Sequence, residues 1–221
     1  MENGKPAMIT VHHLNNSRSQ RILWLLEELE VPYRIEKYER LSPIPLAPVE
    51  LKNVHPLGKS PVITDNGHTI AESGAIIEYV LDRYGDGRLR PARQSDDCMR
   101  YIEWMHYAEG SAMLPLLLQL YAGFLGEASA PLQPRIDSEI ANHLSYIADA
   151  VNGREFIVGQ SLTGADIQIA FVLEAAEARG LLKDYPALKT YLVRLQARPA
   201  YKRGIAKGGP YDLAMNRRMS I

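Results

Sequence analysis

The chain has 221 residues, 46% of them hydrophobic and 23% charged, with 25 Lys and Arg against 26 Asp and Glu and a formal net charge of −1. That length can bury a sizeable core, and the balanced charge, with no basic stripe, argues against a nucleic-acid partner. A lone cysteine, Cys98, excludes an internal disulfide framework and fits a reducing compartment.

The longest apolar run, Met113 to Leu118, falls far short of the roughly 18–20 residues that span a bilayer. The N-terminal stretch Met1–Met8 is too polar for a secretory signal. Both point to a cytoplasmic protein with no membrane partner. The basic pairs Lys202-Arg203 and Arg217-Arg218 read as solvated surface.

Taken in order, Ile9–Leu14 is short and β-prone, a strand. Asn15-Asn16-Ser17 supplies turn and N-cap chemistry. Ile22, Leu25, Leu26 and Leu29 then recur at helical spacing. Val31-Pro32 ends that helix, and Tyr33–Tyr38 predicts a second strand, giving a βαβ unit.

The prolines of Leu41–Pro48 forbid regular structure, so an ordered loop is expected, with room for a short helix before Asn53. Pro61–Thr64 and His68–Ala71 flank Asn66-Gly67, a hairpin signal because both turn positions need positive φ. From Ser73, Ile76, Ile77, Val80, Leu81 and Tyr84 predict a helix that Gly85 ends.

Beyond the turn-rich connector Gly85–Pro91 only helical periods remain. Met99, Ile102 and Met105 form one apolar stripe, and Ile136, Ile140, Leu144, Ile147 and Val151 a second. Ile167, Ala170 and Leu173 form a third, and Leu188, Leu192 and Leu195 a fourth. The expected fold is α+β: a βαβ-ββα domain over residues 1–85, a linker over 86–94 and an all-helical domain over 95–221.

Asn53-Val-His-Pro-Leu-Gly-Lys-Ser-Pro61 followed by Glu72-Ser73-Gly74 resembles the pattern of the soluble glutathione S-transferase family, on a thioredoxin-like domain whose strand-opening proline is cis. It departs from that pattern in Val54-His55, which separates Asn53 from Pro56. A second block, Gly159–Asp166, resembles the family's C-terminal signature: Thr163 and Asp166 have capping-box spacing, with Asp where Glu or Gln is usual. Leu181–Tyr201 also resembles the family's last helices. The resemblance spans roughly residues 8–205 and implies a homodimer that binds glutathione and needs no metal.

Carried onto this chain, the resemblance implies a glutathione site with physical sense. Ser73 and the N–H groups opening its helix would hold the γ-glutamyl carboxylate, and Glu72 would face the ammonium. Ser60, beside Pro61, would pair its main chain with the cysteinyl unit. Lys59 would meet the glycyl carboxylate, unless it is simply an exposed lysine. Family members activate the thiol with Tyr, Ser or Cys after the first strand. No Tyr or Cys lies between Met8 and Gln20, so Ser17 is the candidate hydroxyl, with Asn16 and Ser19 as rivals. Ser17 also suits a plain helix cap.

A hydrogen bond to a charged group, about 1.5–3 kcal/mol, and a helix N-terminus, about 0.3–1 kcal/mol, would bring a thiol from ~8.5 to roughly 6–7. Arg18 would add to the field or lie exposed. The electrophile would meet Tyr107, Trp104 and Met113, with Tyr101 nearby, between the two domains; ordinary core packing is the alternative for all four. His12-His13 points to opposite faces of a strand, which makes a shared metal improbable. Cys98 reads as a small core residue.

Three readings follow: conjugation of the glutathione thiolate to an electrophile, glutathione-dependent reduction of peroxides or disulfides, and non-catalytic binding on the same fold.

Overall fold

The computed structural model describes residues 8–41 and 46–214. The stretch 1–7, the loop prolines Pro43 and Pro45 and the Arg217-Arg218 pair lie outside it. Four strands form one mixed sheet in the order β2-β1-β3-β4: β1 Ile9–Leu14, β2 Tyr33–Tyr38, β3 Val62–Asp65 and β4 His68–Ala71. β1 runs parallel to β2, with Ile9 opposite Tyr33, and antiparallel to β3, with His12 opposite Val62. As a central strand, β1 is buried along its whole length. The β3–β4 hairpin turns on Asn66 and Gly67 at φ 47° and 79°, the positive values that its sequence requires.

The helices are α1 Ser19–Leu29, α2 Ser73–Tyr84, α3 Asp96–Tyr107, α4 Met113–Gly123, α5 Gln133–Val151, α6 Gly164–Glu177, α7 Pro186–Gln196 and α8 Pro199–Gly208. A short 3-10 turn, Val49–Asn53, follows the loop. The chain thus carries a thioredoxin-like sheet domain and a helical domain. By packing it divides into two compact units, one formed by the chain up to Arg88 together with Arg198–Asp212, the other by Leu89–Ala197 and the chain from Leu213.

In the first unit α1 packs on β1, α2 and α8, and nearly every residue of it is buried, polar ones included. Two glycines of α8 allow the close approach. A Cβ on Gly204 would stand 3.1 Å from Trp24 N, and one on Gly208 would stand 2.8 Å from Gln20 Oε1. Carboxylates of α1 then grip α8. Glu27 accepts from Arg203 Nε at 2.7 Å, from Lys207 and from Tyr33 Oη at 2.8 Å, while Glu28 accepts from Arg198 Nε at 2.6 Å and Trp24 Nε1 at 2.8 Å.

In the second unit α6 is buried from Gly164 to Ala176. The expected capping box forms at its start, and Asp166 does more than cap. It accepts from Thr163 N at 2.7 Å, Thr163 Oγ1 at 3.0 Å, Ile157 N at 2.9 Å and Tyr191 Oη at 2.6 Å. The stripes of α5, α6 and α7 are buried as expected, and so is Cys98.

Of the α3 stripe only Met105 is buried. Met99 is 71% exposed and Ile102 41%, and the inner face is Cys98, Tyr101, Trp104 and Met105. Met113 opens the second helix of this unit, α4. A π-helical turn, Ala108–Ala112, intervenes, with Met113 N donating to Ala108 O, five residues back. Pro115 follows, and it has no N–H to give back to the preceding turn; widening the helix just before it relieves that conflict.

Candidate functional site

At the end of β1 the chain turns through Asn15 and Asn16 into α1. Asn16 is left-handed, at φ 49°, a conformation that asparagine tolerates better than most residues. Arg40, just past β2, fastens the turn: its N donates to Asn15 Oδ1 at 2.9 Å, its Nε to Asn15 O at 3.2 Å and its Nη2 to Asn16 O at 3.0 Å. Burial, then neighbouring Arg18, lowers the Arg40 pKa from its very high ordinary value.

Ser17 is buried. Its Oγ donates to Leu14 O at 2.7 Å, lies 2.8 Å from Ser19 Oγ and accepts from Ser19 N at 3.2 Å. The last bond is a local turn of the kind serine makes at helix starts, but the N-cap residue of α1 is Arg18, not Ser17, and no side chain caps the helix from that position. Ser19 Oγ reaches His13 Nδ1 at 2.8 Å. Burial, with Lys37 adding to it, pushes the His13 ring down to about 4, so it is neutral near pH 7. Sequence patterns alone gave His13 and Arg40 no part here: Arg40 meets the turn only once β2 pairs with β1, and no pattern marks the bond between His13 and Ser19.

Ser60 sits at the same end of β1. The Ser60–Pro61 bond is cis, as the family pattern implied. Ser60 Oγ donates to His12 O at 2.8 Å and accepts from Leu14 N at 3.3 Å, bridging the strand end with its side chain. Its main-chain N–H and C=O have no partner among the described residues. Ser60 and Ser17 therefore meet through Leu14, whose N bonds one and whose O bonds the other.

Ser73 opens α2 and is buried; its Oγ accepts from Arg21 Nη1 at 3.4 Å, which ties it to α1. No side chain caps α2, so the N–H groups of its first turn remain available to an anion. Glu72 precedes it at φ 70°, exposed, and Lys59 is exposed without an ion-pair partner among the described residues.

In the second unit, Trp104 and Met113 are buried, as is Tyr101. Tyr107 is half-buried, its hydroxyl 2.6 Å from His143 Nδ1 and its ring edge-on to Trp104 at 5.1 Å. Burial pushes its hydroxyl pKa well up, so it stays protonated. Among the described residues no group of His, Cys, Asp and Glu could hold a metal, and no helix is long and apolar enough to cross a membrane.

The N-terminal domain of glutathione S-transferases matches residues 6–82, and a C-terminal domain of the same family matches residues 113–206. The chain belongs to the glutathione S-transferase family. Among curated relatives, glutathione S-transferase 3 of Schizosaccharomyces pombe is 34% identical over 208 residues, covering 87% of this chain and 85% of that protein. A glutathione S-transferase from Actinobacillus pleuropneumoniae superposes with a TM-score of 0.85 at 35% identity, over 96% of this chain and 97% of that one. A glutathione transferase from Phanerochaete chrysosporium, solved with oxidized glutathione, shares the fold with a TM-score of 0.74 at 21% identity, over 94% and 97%. In this transferase family member the N-terminal match takes in the β1–α1 turn, cis Pro61 and the start of α2.

Proposed function

We propose that this chain is a cytoplasmic, homodimeric glutathione transferase that adds the thiolate of glutathione to small hydrophobic electrophiles and so clears reactive molecules. The observation that carries this reading is the free main chain of Ser60 beside cis Pro61, at the strand end that also bears Asn16 and Ser17. There the cysteinyl unit adds to the protein as a short strand. The uncapped start of α2, with Ser73, receives the γ-glutamyl carboxylate, Glu72 its ammonium and Lys59 the glycyl carboxylate.

The thiol loses its proton to solvent, and hydrogen bonds from the Asn16–Ser17 turn hold the anion. Its sulfur pair attacks the electrophilic carbon, the S–C bond forms, and the leaving group departs with its electrons or, in an addition, the carbanion takes up a proton. Tyr107 is the proposed contact for the electrophile, with Trp104 edge-on to its ring, and Met113 is proposed to line the same pocket.

The test is to follow thiolate absorbance of bound glutathione against pH and to assay conjugation with a panel of aryl halides and enones. A midpoint below the ~8.5 of a free thiol, with measurable conjugation, is the expected result. Replacing the residue that donates to sulfur, Ser17 or Asn16, by alanine should slow conjugation about tenfold or more. One observation favours a second reading: the Ser17 hydroxyl is bonded inward. Binding with an unshifted midpoint and no conjugation would make the chain a glutathione carrier.

A further inference from the structure

The Asn16 side chain is held by a distant part of the chain. After α8 the backbone turns at Gly209, φ 102°, and the main-chain N–H of Asp212 donates to Asn16 Oδ1 at 2.6 Å. A backbone N–H bonds only to an acceptor, so this contact fixes which end of the carboxamide is which. Oδ1 faces Asp212, and Nδ2 has no partner among the described residues. The backbone beneath is equally fixed, since Arg40 bonds the carbonyls of both Asn15 and Asn16.

Ser17 offers the opposite picture. Its single proton has two inward acceptors, Leu14 O at 2.7 Å and Ser19 Oγ at 2.8 Å. Ser19 is tied in turn to His13, which Lys37 flanks on β2. The charged groups beside the Asn16 turn are the guanidinium of Arg40, which touches it, that of Arg18, and the exposed carboxylate of Asp212 itself.

We propose that Asp212, through its main-chain N–H, is a positioning residue that presents Asn16 Nδ2 as the hydrogen-bond donor to the sulfur of glutathione. This rests on the glutathione site proposed above. Thiolate stabilisation then comes from an amide whose orientation is set by the segment after α8, with the Ser17 hydroxyl shaping the turn beneath it.

The experiment uses the full-length protein and glutathione itself, reading the pH midpoint of bound thiolate absorbance, with thermal unfolding alongside. Asp212→Pro removes the N–H at an exposed position and should raise the midpoint by about 1–2 pH units. Asp212→Ala keeps the N–H and should hold the midpoint of the unmodified protein. In an Asn16→Ala background the proline should add nothing, because the amide it would release is gone. Should proline disturb the segment more widely, Asn16→Asp is the second variant. It still accepts from Asp212 but puts an anionic oxygen where the donor stood, and should raise the midpoint beyond that of Asn16→Ala. A proline variant with an unshifted midpoint overturns this proposal and leaves the glutathione site standing. An alanine variant shifted as far as the proline overturns it too, by assigning the effect to the carboxylate. An unmodified protein that fails to bind glutathione, or leaves its thiol at the free value, overturns both readings.

Discussion

Asn16 and Glu72 are non-glycine residues at positive φ, and both border the proposed glutathione site. Such conformations cost on the order of 1–3 kcal/mol and persist where surrounding contacts over-determine them. For Asn16 those contacts are Arg40 and Asp212. His13, behind the same turn, gives a pH dependence whose sign follows from its burial. Its ring titrates near about 4 when folded, against ~6.5 when unfolded. Below ~6.5 the unfolded chain binds a proton that the folded one refuses, so stability falls as pH drops toward 4, by about 3 kcal/mol from this group. Urea unfolding at pH 7.5, 6 and 5 should show the decline, and His13→Gln should flatten it; an equally steep decline in the variant would assign it elsewhere. His12, also lowered by burial, adds a smaller slope of the same sign.

Among elements, the α1–α8 contact is where small changes should act most. Alanine is favoured over glycine in a helix by about 1 kcal/mol, yet at Gly204 its Cβ would meet main-chain atoms of Trp24 at 3.1 and 3.3 Å, which cannot step aside. Gly204→Ala is therefore expected to destabilise by about 1–3 kcal/mol net, read as a drop of several degrees in thermal unfolding. Glu27 is the other anchor. Burial pushes its carboxyl up, and the bonds from Lys207, Arg203 and Tyr33 more than reverse that, leaving it below the usual range. Glu27→Ala should cost about 2–3 kcal/mol, less than a fully buried pair because Arg203 and Lys207 are half exposed. Arg203→Ala should cost under about 1 kcal/mol. Equal losses for the two variants would contradict this ranking.

The same elements show what a sequence carries. The Asn66-Gly67 hairpin, the Thr163–Asp166 box and the α5 stripe were legible because each depends on neighbours within a few turns of chain. The α3 stripe misled because Met99 and Ile102 also recur at helical spacing, one face away from Cys98, Tyr101 and Trp104; a period alone does not choose between two apolar faces. At the candidate site Ser60, Pro61 and Ser73 could be marked by motif. Arg40 and Asp212 could not, since their contacts close over long separations in sequence, and His13 could not because no pattern pairs it with Ser19 six residues on.

At the level of the whole molecule, the first compact unit is built from two separate stretches, with Arg198–Asp212 packed back onto the strands and helices that precede Arg88. A protein truncated after Gln196 should therefore lose more than a terminal helix. It would strip the cover from Gln20, Trp24 and Glu27 and lose the bond to Asn16. We expect it to fail to bind glutathione and to be cut by protease within α1, while α5 and α6 stay protected. Retained binding would show that α8 is dispensable.

This split unit also sets an order of events on the ribosome. Everything that encloses α1 except α8 is synthesised first, and Leu89–Ala197 of the second unit must then be made before residue 198 emerges. At about 5–20 residues per second, the nascent sheet spends on the order of ten seconds with one face of its first helix uncovered. The Asp212 contact must wait until α8 has been made. A chain stalled or clipped before Asp212 would thus carry every motif that marks the family and still lack the bond to Asn16 on which the proposed thiol site rests.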